Sequence, residues 1–485
     1  MNHAGVILAN GAPNLVIYSS STVSAGNLHY EIHLNLYIGG MNMKKKSIVF
    51  ILALIIAMSL PAIAFAEDTI DKGDTTFSML SSALVFFMTP GLALFYGGMV
   101  RRKNVLNTMM SSFIIIGIIT VQWVLIGYSI CFGSDKFHLF GGLDFIGFKG
   151  VGAAPNPDYA ATIPHAAFAV YQLMFAIITP ALITGAFAER MRFPAMIAFV
   201  LLWSTFVYDP LAHWVWGAGG WLKNLGALDF AGGNVVHISS GIAGLIACIV
   251  IGSRKKSKST PIVPHNIPFV LIGGAILWFG WFGFNGGSAL AADGLAVNAF
   301  AVTHISAASA LVSWVIVETL HHGKPTLLGA VTGAVVGLVA ITPAAGFVTP
   351  LSAIIIGLFV SPLCYLGVSV LKAKFGYDDA LDAFGCHGIG GIWGALATGL
   401  FATKSVNPAG ADGLFYGNPA QLGVQVISII ATVALSAILT FIILKVVSLF
   451  TSLRVSEKEE EEGLDFSEHG EEAYPDFSSQ EVISI

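Results

Sequence analysis

Eleven apolar runs follow one another along the chain, near residues 77–99, 109–132, 164–188, 193–211, 232–252, 265–288, 294–317, 325–343, 347–371, 380–402 and 420–449. Each is long enough to cross a hydrocarbon layer about 30 Å thick as a helix. In lipid every backbone N–H and C=O must find its partner inside the segment, so runs of this length are expected to be helical. Of the 485 residues 55% are hydrophobic and only 11% charged, against about 25% charged in a soluble domain. A water-soluble fold is thereby excluded, and the sequence predicts an all-α integral membrane protein of eleven transmembrane helices. The 54 glycines suit it, because small residues let helices approach closely in lipid. The net charge of −5 comes mainly from the tail, "EKEEEEGLDFSEHGEE", and nothing reads as a nucleic-acid surface. Cys131, Cys248, Cys364 and Cys386 all fall in apolar runs, which suggests neither a disulfide framework nor a paired-cysteine metal site.

Residues 41–66, "MNMKKKSIVFILALIIAMSLPAIAFA", have a basic start, an apolar middle and a small-residue end, the pattern of a signal peptide removed after Ala66. Residues 1–40 are polar, without evident periodicity, and would bury a signal that has to come first; they are expected to be a non-native upstream extension. Residues 67–450 then form the membrane domain and 451–485 a tail. Alternate loops concentrate the cations Arg101, Arg102 and Lys103; Arg190 and Arg192; Arg254, Lys255, Lys256 and Lys258; Lys324; Lys372 and Lys374; Arg454 and Lys458. The intervening loops hold only Lys136, Lys149, Lys223 and Lys404. Basic loops stay cytoplasmic, so the mature N-terminus is expected outside the cell membrane and the C-terminus inside.

An odd number of spans invites a search for an inverted repeat of five plus five helices followed by a final one. Span 5, "DFAGGNVVHISSGIAGL", carries His237 followed by Gly241 and Gly244, and span 10, "DAFGCHGIGGIWGAL", carries His387 followed by Gly391 and Gly394. Both read H-x-x-x-G-x-x-G with an aspartate upstream, Asp229 and Asp382, and "FYGG" at 95–98 echoes "FNGG" at 284–287. An ionisable residue inside the membrane is a functional candidate by default, and pairing by pseudo-symmetry argues against two unrelated core imidazoles. Counted along the spans, however, each histidine lies several residues from mid-membrane, on opposite sides, and the sequence does not force them to touch.

The remaining candidates keep two readings. Asp229 and Asp382 either cap their helices, where free N–H groups receive a carboxylate, or give electrostatic support to a cation. Phe175, Trp216 and Phe284, with Ser288, are either interfacial anchors or a site where aromatic faces and a hydroxyl attract a small cation. His304 lacks the glycine pattern and reads as a helix-interface residue, while His165, His213 and His265 lie near span ends where the aqueous interface would satisfy them. No local spacing resembles a zinc site, and Lys445 is too close to a span end to carry a Schiff base, so neither metal nor cofactor is expected.

On these residues the chain resembles the ammonium transporter, methylammonium permease and Rhesus protein family. The run from Asp229 to Arg254, "YQLMFAIITPALITGAFAERMRF", "WFGFNGGSAL", "DAFGCHGIGGIWGALATGLFA" and the acidic tail are similar to its motifs over roughly residues 76–474, the tail favouring the bacterial-type ammonium transporter branch. The resemblance implies a homotrimer with one narrow apolar pore per protomer. It places an outer ammonium site at Trp216, Phe175 and Ser288, a stacked gate at Phe175 and Phe284, and a hydrogen-bonded pair at His237 and His387, with Asp229 stabilising the outer site without ligating. It also implies docking of a PII-type signalling protein on the cytoplasmic face. An ammonium sensor acting through such a partner is the competing reading. An intramembrane enzyme would need a nucleophile–base pair or a metal cluster, and the sequence offers neither.

Overall fold

The computed structural model of the chain describes residues 70–255 and 263–475, together with the backbone of three strands nearer the N-terminus. Two units are distinguished, Met1–Asp68 and Thr69–Ile485. In the first, strands β1 (Gly5–Ile7), β2 (Ile17–Ser24) and β3 (Asn27–His33) form an antiparallel sheet in the order β1-β2-β3, with Tyr18 opposite His33 and Ser24 opposite Asn27. The segment read as lacking periodicity thus contains some: Leu28, Tyr30 and Ile32 alternate at the spacing of a strand. The expected signal segment, 41–66, lies outside the described residues.

The second unit is helical. Among the described residues nine helices are long and apolar enough to cross a membrane. They are α1 (Lys72–Met99), α2 (Arg102–Phe132), α3 (His165–Phe187), α4 (Phe193–Leu225), α5 (Gly233–Ile251), α6 (Ile267–Ala289), α7 (Gly294–His322), α9 (Pro350–Phe375) and α11 (Pro419–Ser448). Two further apolar helices are α8 (Leu327–Ile341) and α10, residues 384–401. Side-chain caps start several of them: Asp71 accepts the N–H of Asp74 before α1, and Asp293, Thr326 and Thr349 do the same before α7, α8 and α9.

The starting points of α5 and α10 set the depth of the two histidines. Neither helix runs straight from a loop at the surface. Each is preceded by an irregular stretch that packs against the end of the third span of the opposite half. The Phe230 N–H donates to Pro343 C=O just beyond α8, and the Ala380 and Leu381 N–H groups donate to Ala186 and Gly185 C=O at the end of α3. The histidines therefore sit near the starts of helices that begin among buried residues of the bundle.

Glycines let α5 and α10 meet. A Cβ on Gly241 would lie 2.1 Å from the Gly388 backbone nitrogen, and one on Gly391 would lie 3.1 Å from His237 Cβ. The glycine four residues after each histidine is thus the surface on which the opposite helix rests, so the shared H-x-x-x-G spacing is a packing requirement. At the end of the bundle that carries the tail, Glu189 joins Arg101 at 3.0 Å and Arg254 at 2.9 Å, and Arg254 continues to Asp378 at 2.7 Å. Burial alone would raise both carboxyls, but the guanidinium groups outweigh it: Glu189 is held below its ordinary range and Asp378 falls to about 2. The tail, with α12 (Glu457–Glu462) and α13 (Leu464–His469), clasps this end. Leu464 N–H donates to Asn104, Asn107 N–H donates to Asp465, and Arg192 pairs with Glu459.

Candidate functional site

The start of α5 is built around one carboxylate. Asp229 Oδ1 accepts the N–H groups of Gly232 and Gly233 at 2.8 and 2.6 Å, and Oδ2 accepts those of Asn234 and Val235 at 2.8 and 3.3 Å. Gly232 sits at φ 114°, a conformation that only glycine adopts without strain. Burial pushes the Asp229 carboxyl up, and the four N–H groups oppose that. With its lone pairs engaged, Asp229 holds the helix start and is not free to ligate a cation.

In the other half the same work falls to a different residue from the one expected. Asp379 accepts the N–H groups of Ala383 at 3.1 Å and Phe384 at 2.7 Å. Asp382 instead receives Lys372 Nζ at 2.6 Å and has a left-handed backbone, φ 58°. Asp382 therefore does not cap α10. The repeat is an aspartate eight residues before each histidine, 229 to 237 and 379 to 387, a spacing present in the sequence and overlooked in favour of the nearer aspartate.

His237 and His387 come together. Their Nδ1 atoms are 3.3 Å apart and the rings stack with centroids 5.3 Å apart and planes inclined by 15°. Both are buried, and His237 Nε2 is a buried nitrogen without a hydrogen-bond partner. With Nδ1 facing Nδ1, a hydrogen bond between the rings carries one proton, donated by one ring and accepted by the other; which ring carries it is a matter of tautomer. They line an enclosed void that has room for about one water-sized molecule and whose other walls include Phe95, Leu277, Trp281, Phe284 and Val335. Apart from the two imidazoles the void is apolar.

Aromatic rings continue this column toward Trp216. Phe284 lies 6.1 Å from His237, Phe175 lies 4.3 Å from Phe284, and Trp216 lies 5.9 Å from Phe175. The Phe175 and Phe284 rings are tilted by 38° and not parallel, both are 1% exposed, and Phe284 also lines the void. Trp216 Nε1 donates to Asp229 C=O at 2.9 Å, which ties the tryptophan to the start of α5. Ser288 Oγ donates to Phe284 C=O at 2.9 Å and meets Tyr171 Oη at 3.2 Å.

Two members of the site escaped sequence reading. Trp281 stacks on His237 at 5.5 Å and 23°, and Tyr171 donates toward the carbonyls of Gly283 and Phe284. Helical spacing was the available signal, since Trp281 lies three residues before Phe284 and Tyr171 four before Phe175. His304 is exposed on the flank of the bundle beside Trp278, 5.4 Å away, and is not part of the void. His165 and His213 are buried, against the expectation that the aqueous interface satisfies them. His165 Nε2 meets Tyr128 Oη at 2.5 Å, and His213 sits between Cys131 C=O and Asp135 at 2.9 Å each. Among the described residues no three histidine, cysteine or acidic side chains stand together as a metal site would require.

A helical bundle with nine apolar helices of spanning length among the described residues, enclosing a small apolar void onto which two imidazoles face, defines a polytopic membrane protein. The family model described as the Ammonium Transporter Family matches residues 76–474. The chain is 58% identical over 404 residues to an ammonium transporter of Bacillus subtilis, covering 83% of this chain and 99% of that one. It is 50% identical to an ammonium transporter of Aquifex aeolicus, covering 84% and 95%. Among solved structures it is similar to Mep2 of Saccharomyces cerevisiae, with TM-score 0.76, 37% identity and coverage of 80% and 88%, and to a sensor Amt protein, with TM-score 0.75, 30% identity and coverage of 82% and 98%. The chain belongs to the ammonium transporter family.

Proposed function

We propose that this chain transports ammonium across the cell membrane by binding the ion at an outer site, removing its proton and passing neutral ammonia through the bundle. One observation carries the reading: the His237–His387 pair is buried in an otherwise apolar void beneath a closed pair of phenylalanines. A bare cation entering such a space loses its hydration at a cost on the order of tens of kcal/mol. Ammonia carries no charge and escapes that cost. Potassium has no proton to give up and is excluded.

Ammonium rests on the faces of Trp216 and Phe175, with Ser288 as acceptor, in the manner of a cation–π site. Deprotonated, it passes when Phe175 and Phe284 swing apart. His237 and His387 then offer ammonia a donor and an acceptor where the walls offer neither. The proton crosses separately through the shared hydrogen bond of the pair or through water beside it, which makes transport electrogenic. Eleven crossings, with Trp216 on the outer side and the tail in the cytoplasm, accord with the basic loops of the sequence. The protein is read as a transporter and not an enzyme, assembled as a homotrimer, with the tail-covered face receiving a PII-type protein.

The likeness to a sensor Amt protein favours a second reading, an ammonium sensor signalling through that docked partner. Uptake of labelled methylammonium by proteoliposomes separates the two: accumulation above empty vesicles supports transport, and binding without accumulation supports sensing. For the mechanism the test is His387→Ala. Loss of ammonium-evoked current with potassium still excluded supports the relay, and unchanged current contradicts it.

A further inference from the structure

We propose that Lys223 sets the affinity of the outer ammonium site by holding a fixed positive charge directly behind Trp216. The inference rests on the reading of Trp216, Phe175 and Ser288 as that site. After Trp216 α4 is interrupted at Gly217–Gly220, and its last turn, Trp221–Leu225, carries Lys223 back toward the tryptophan. Lys223 Nζ donates to Trp216 C=O at 3.0 Å and lies 5.9 Å from the centre of the Tyr159 ring, within the range of a cation–π contact. The position is fixed from the far side as well: Tyr159 Oη donates to Phe132 C=O and accepts the N–H of Ala218, two residues beyond Trp216. Asp158, exposed on the same loop as Tyr159, supplies the opposing charge.

The lysine thus repeats the chemistry proposed for the substrate. An ammonium group is held by an oxygen acceptor and an aromatic face, tethered to the backbone of the residue whose ring is to receive the free ion. Like charges oppose each other, so Lys223, bonded to the backbone of Trp216, weakens ammonium binding without touching the ion. Of the four lysines in the sparsely charged loops, Lys136, Lys149, Lys223 and Lys404, it is the one whose ammonium is bonded to a residue of the site. A plain capping role for a lysine at a helix C-terminus predicts no dependence of substrate affinity on the sign of the side chain.

The test is the half-saturating ammonium concentration of currents on a solid-supported membrane, measured for the full-length protein at low and high ionic strength. Unscreened unit charges about 10 Å apart change binding roughly twofold at the dielectric of water and about tenfold at an effective dielectric near 20, and salt shrinks both. Lys223→Gln is expected to lower the half-saturating concentration by a factor in that range at low ionic strength, Lys223→Glu to lower it further, and Lys223→Arg to match the parent, with the differences shrinking at high salt. A value for Lys223→Gln equal to or above the parent at low ionic strength overturns the inference, as does a shift that high salt leaves intact. Trp216→Leu isolates the underlying reading. If it leaves the half-saturating concentration unchanged, the outer site itself is misplaced; if it raises that concentration while Lys223→Gln does not lower it, only the role of Lys223 fails.

Discussion

His387 Nδ1 stands 3.3 Å from His237 Nδ1, although the two residues are 150 positions apart and belong to different halves of the chain. The contact depends on the glycine four residues beyond each histidine. Gly241→Ala would drive a methyl group to 2.1 Å from the Gly388 nitrogen, a backbone atom that cannot step aside. Overpacking of this kind costs about 1 to 3 kcal/mol or more. The variant is expected to melt at lower temperature in detergent and to lose transport. Gly117→Ala, where a methyl would meet nothing within 4 Å, is expected to leave both unchanged. Equal melting temperatures for the two variants would contradict the packing argument.

Asp229 and Asp379 are expected to matter as helix starters. Asp229→Ala leaves four buried N–H groups without an acceptor, and Asp379→Ala leaves two. Each buried donor so abandoned costs about 1 to 3 kcal/mol. The loss of thermal stability should therefore be larger for Asp229→Ala, with Asp229→Asn between it and the parent. Asp382→Asn removes the Lys372 ion pair while keeping a residue that tolerates the left-handed backbone at φ 58°, and should have a smaller effect than either alanine variant. A melting series in any other order would refute this ranking.

Acid should loosen the tail end of the bundle. Arg254 and Arg101 hold Glu189 below its ordinary range, and Arg254 holds Asp378 at about 2. A carboxyl whose folded value is depressed contributes stability that is fully present above its unfolded value, about 4, and is lost as pH falls through the folded value. The cluster's contribution, read as the melting-temperature difference between the parent and Arg254→Gln, is thus expected to be constant above about pH 4 and to shrink below it. Above that pH the melting plateau of Arg254→Gln should be lower, because buried Asp378 loses its ion-pair partner and Glu189 keeps only Arg101. A plateau as high as the parent's would show that the cluster contributes nothing.

The proposed Phe175–Phe284 gate makes a prediction about rate. Phe284→Ala opens the void beside His237 and takes away the 4.3 Å partner of Phe175. Ammonium-evoked current should change while potassium remains excluded, provided the histidine pair and not the phenylalanines does the discriminating. Potassium current appearing in this variant would move selectivity to the phenylalanine pair.

Much of this was legible in the chain itself. Apolar runs of spanning length announced the bundle, and the repeated H-x-x-x-G-x-x-G pattern singled out the two histidines because the physics that pairs them also demands small residues at the crossing. What the sequence hid was where the helices begin. α5 and α10 start inside the protein after irregular stretches marked by positive φ at Gly232 and Asp382, and an apolar loop cannot be told from an apolar helix by hydropathy. The same blindness led to Asp382 in place of Asp379, since proximity to the apolar run was the cue and the equal spacing of eight residues was the better one. Tyr171 and Trp281 were missed because an aromatic residue at helical spacing usually means ordinary core packing.

Only a species able to shed its charge should get through this passage. Currents from the purified protein in liposomes on a solid-supported membrane, evoked in turn by ammonium and by potassium pulses of equal concentration, test that claim most directly. A transient current that empty liposomes do not give is predicted for ammonium, and none above that background for potassium. Currents of equal size for the two ions would contradict it.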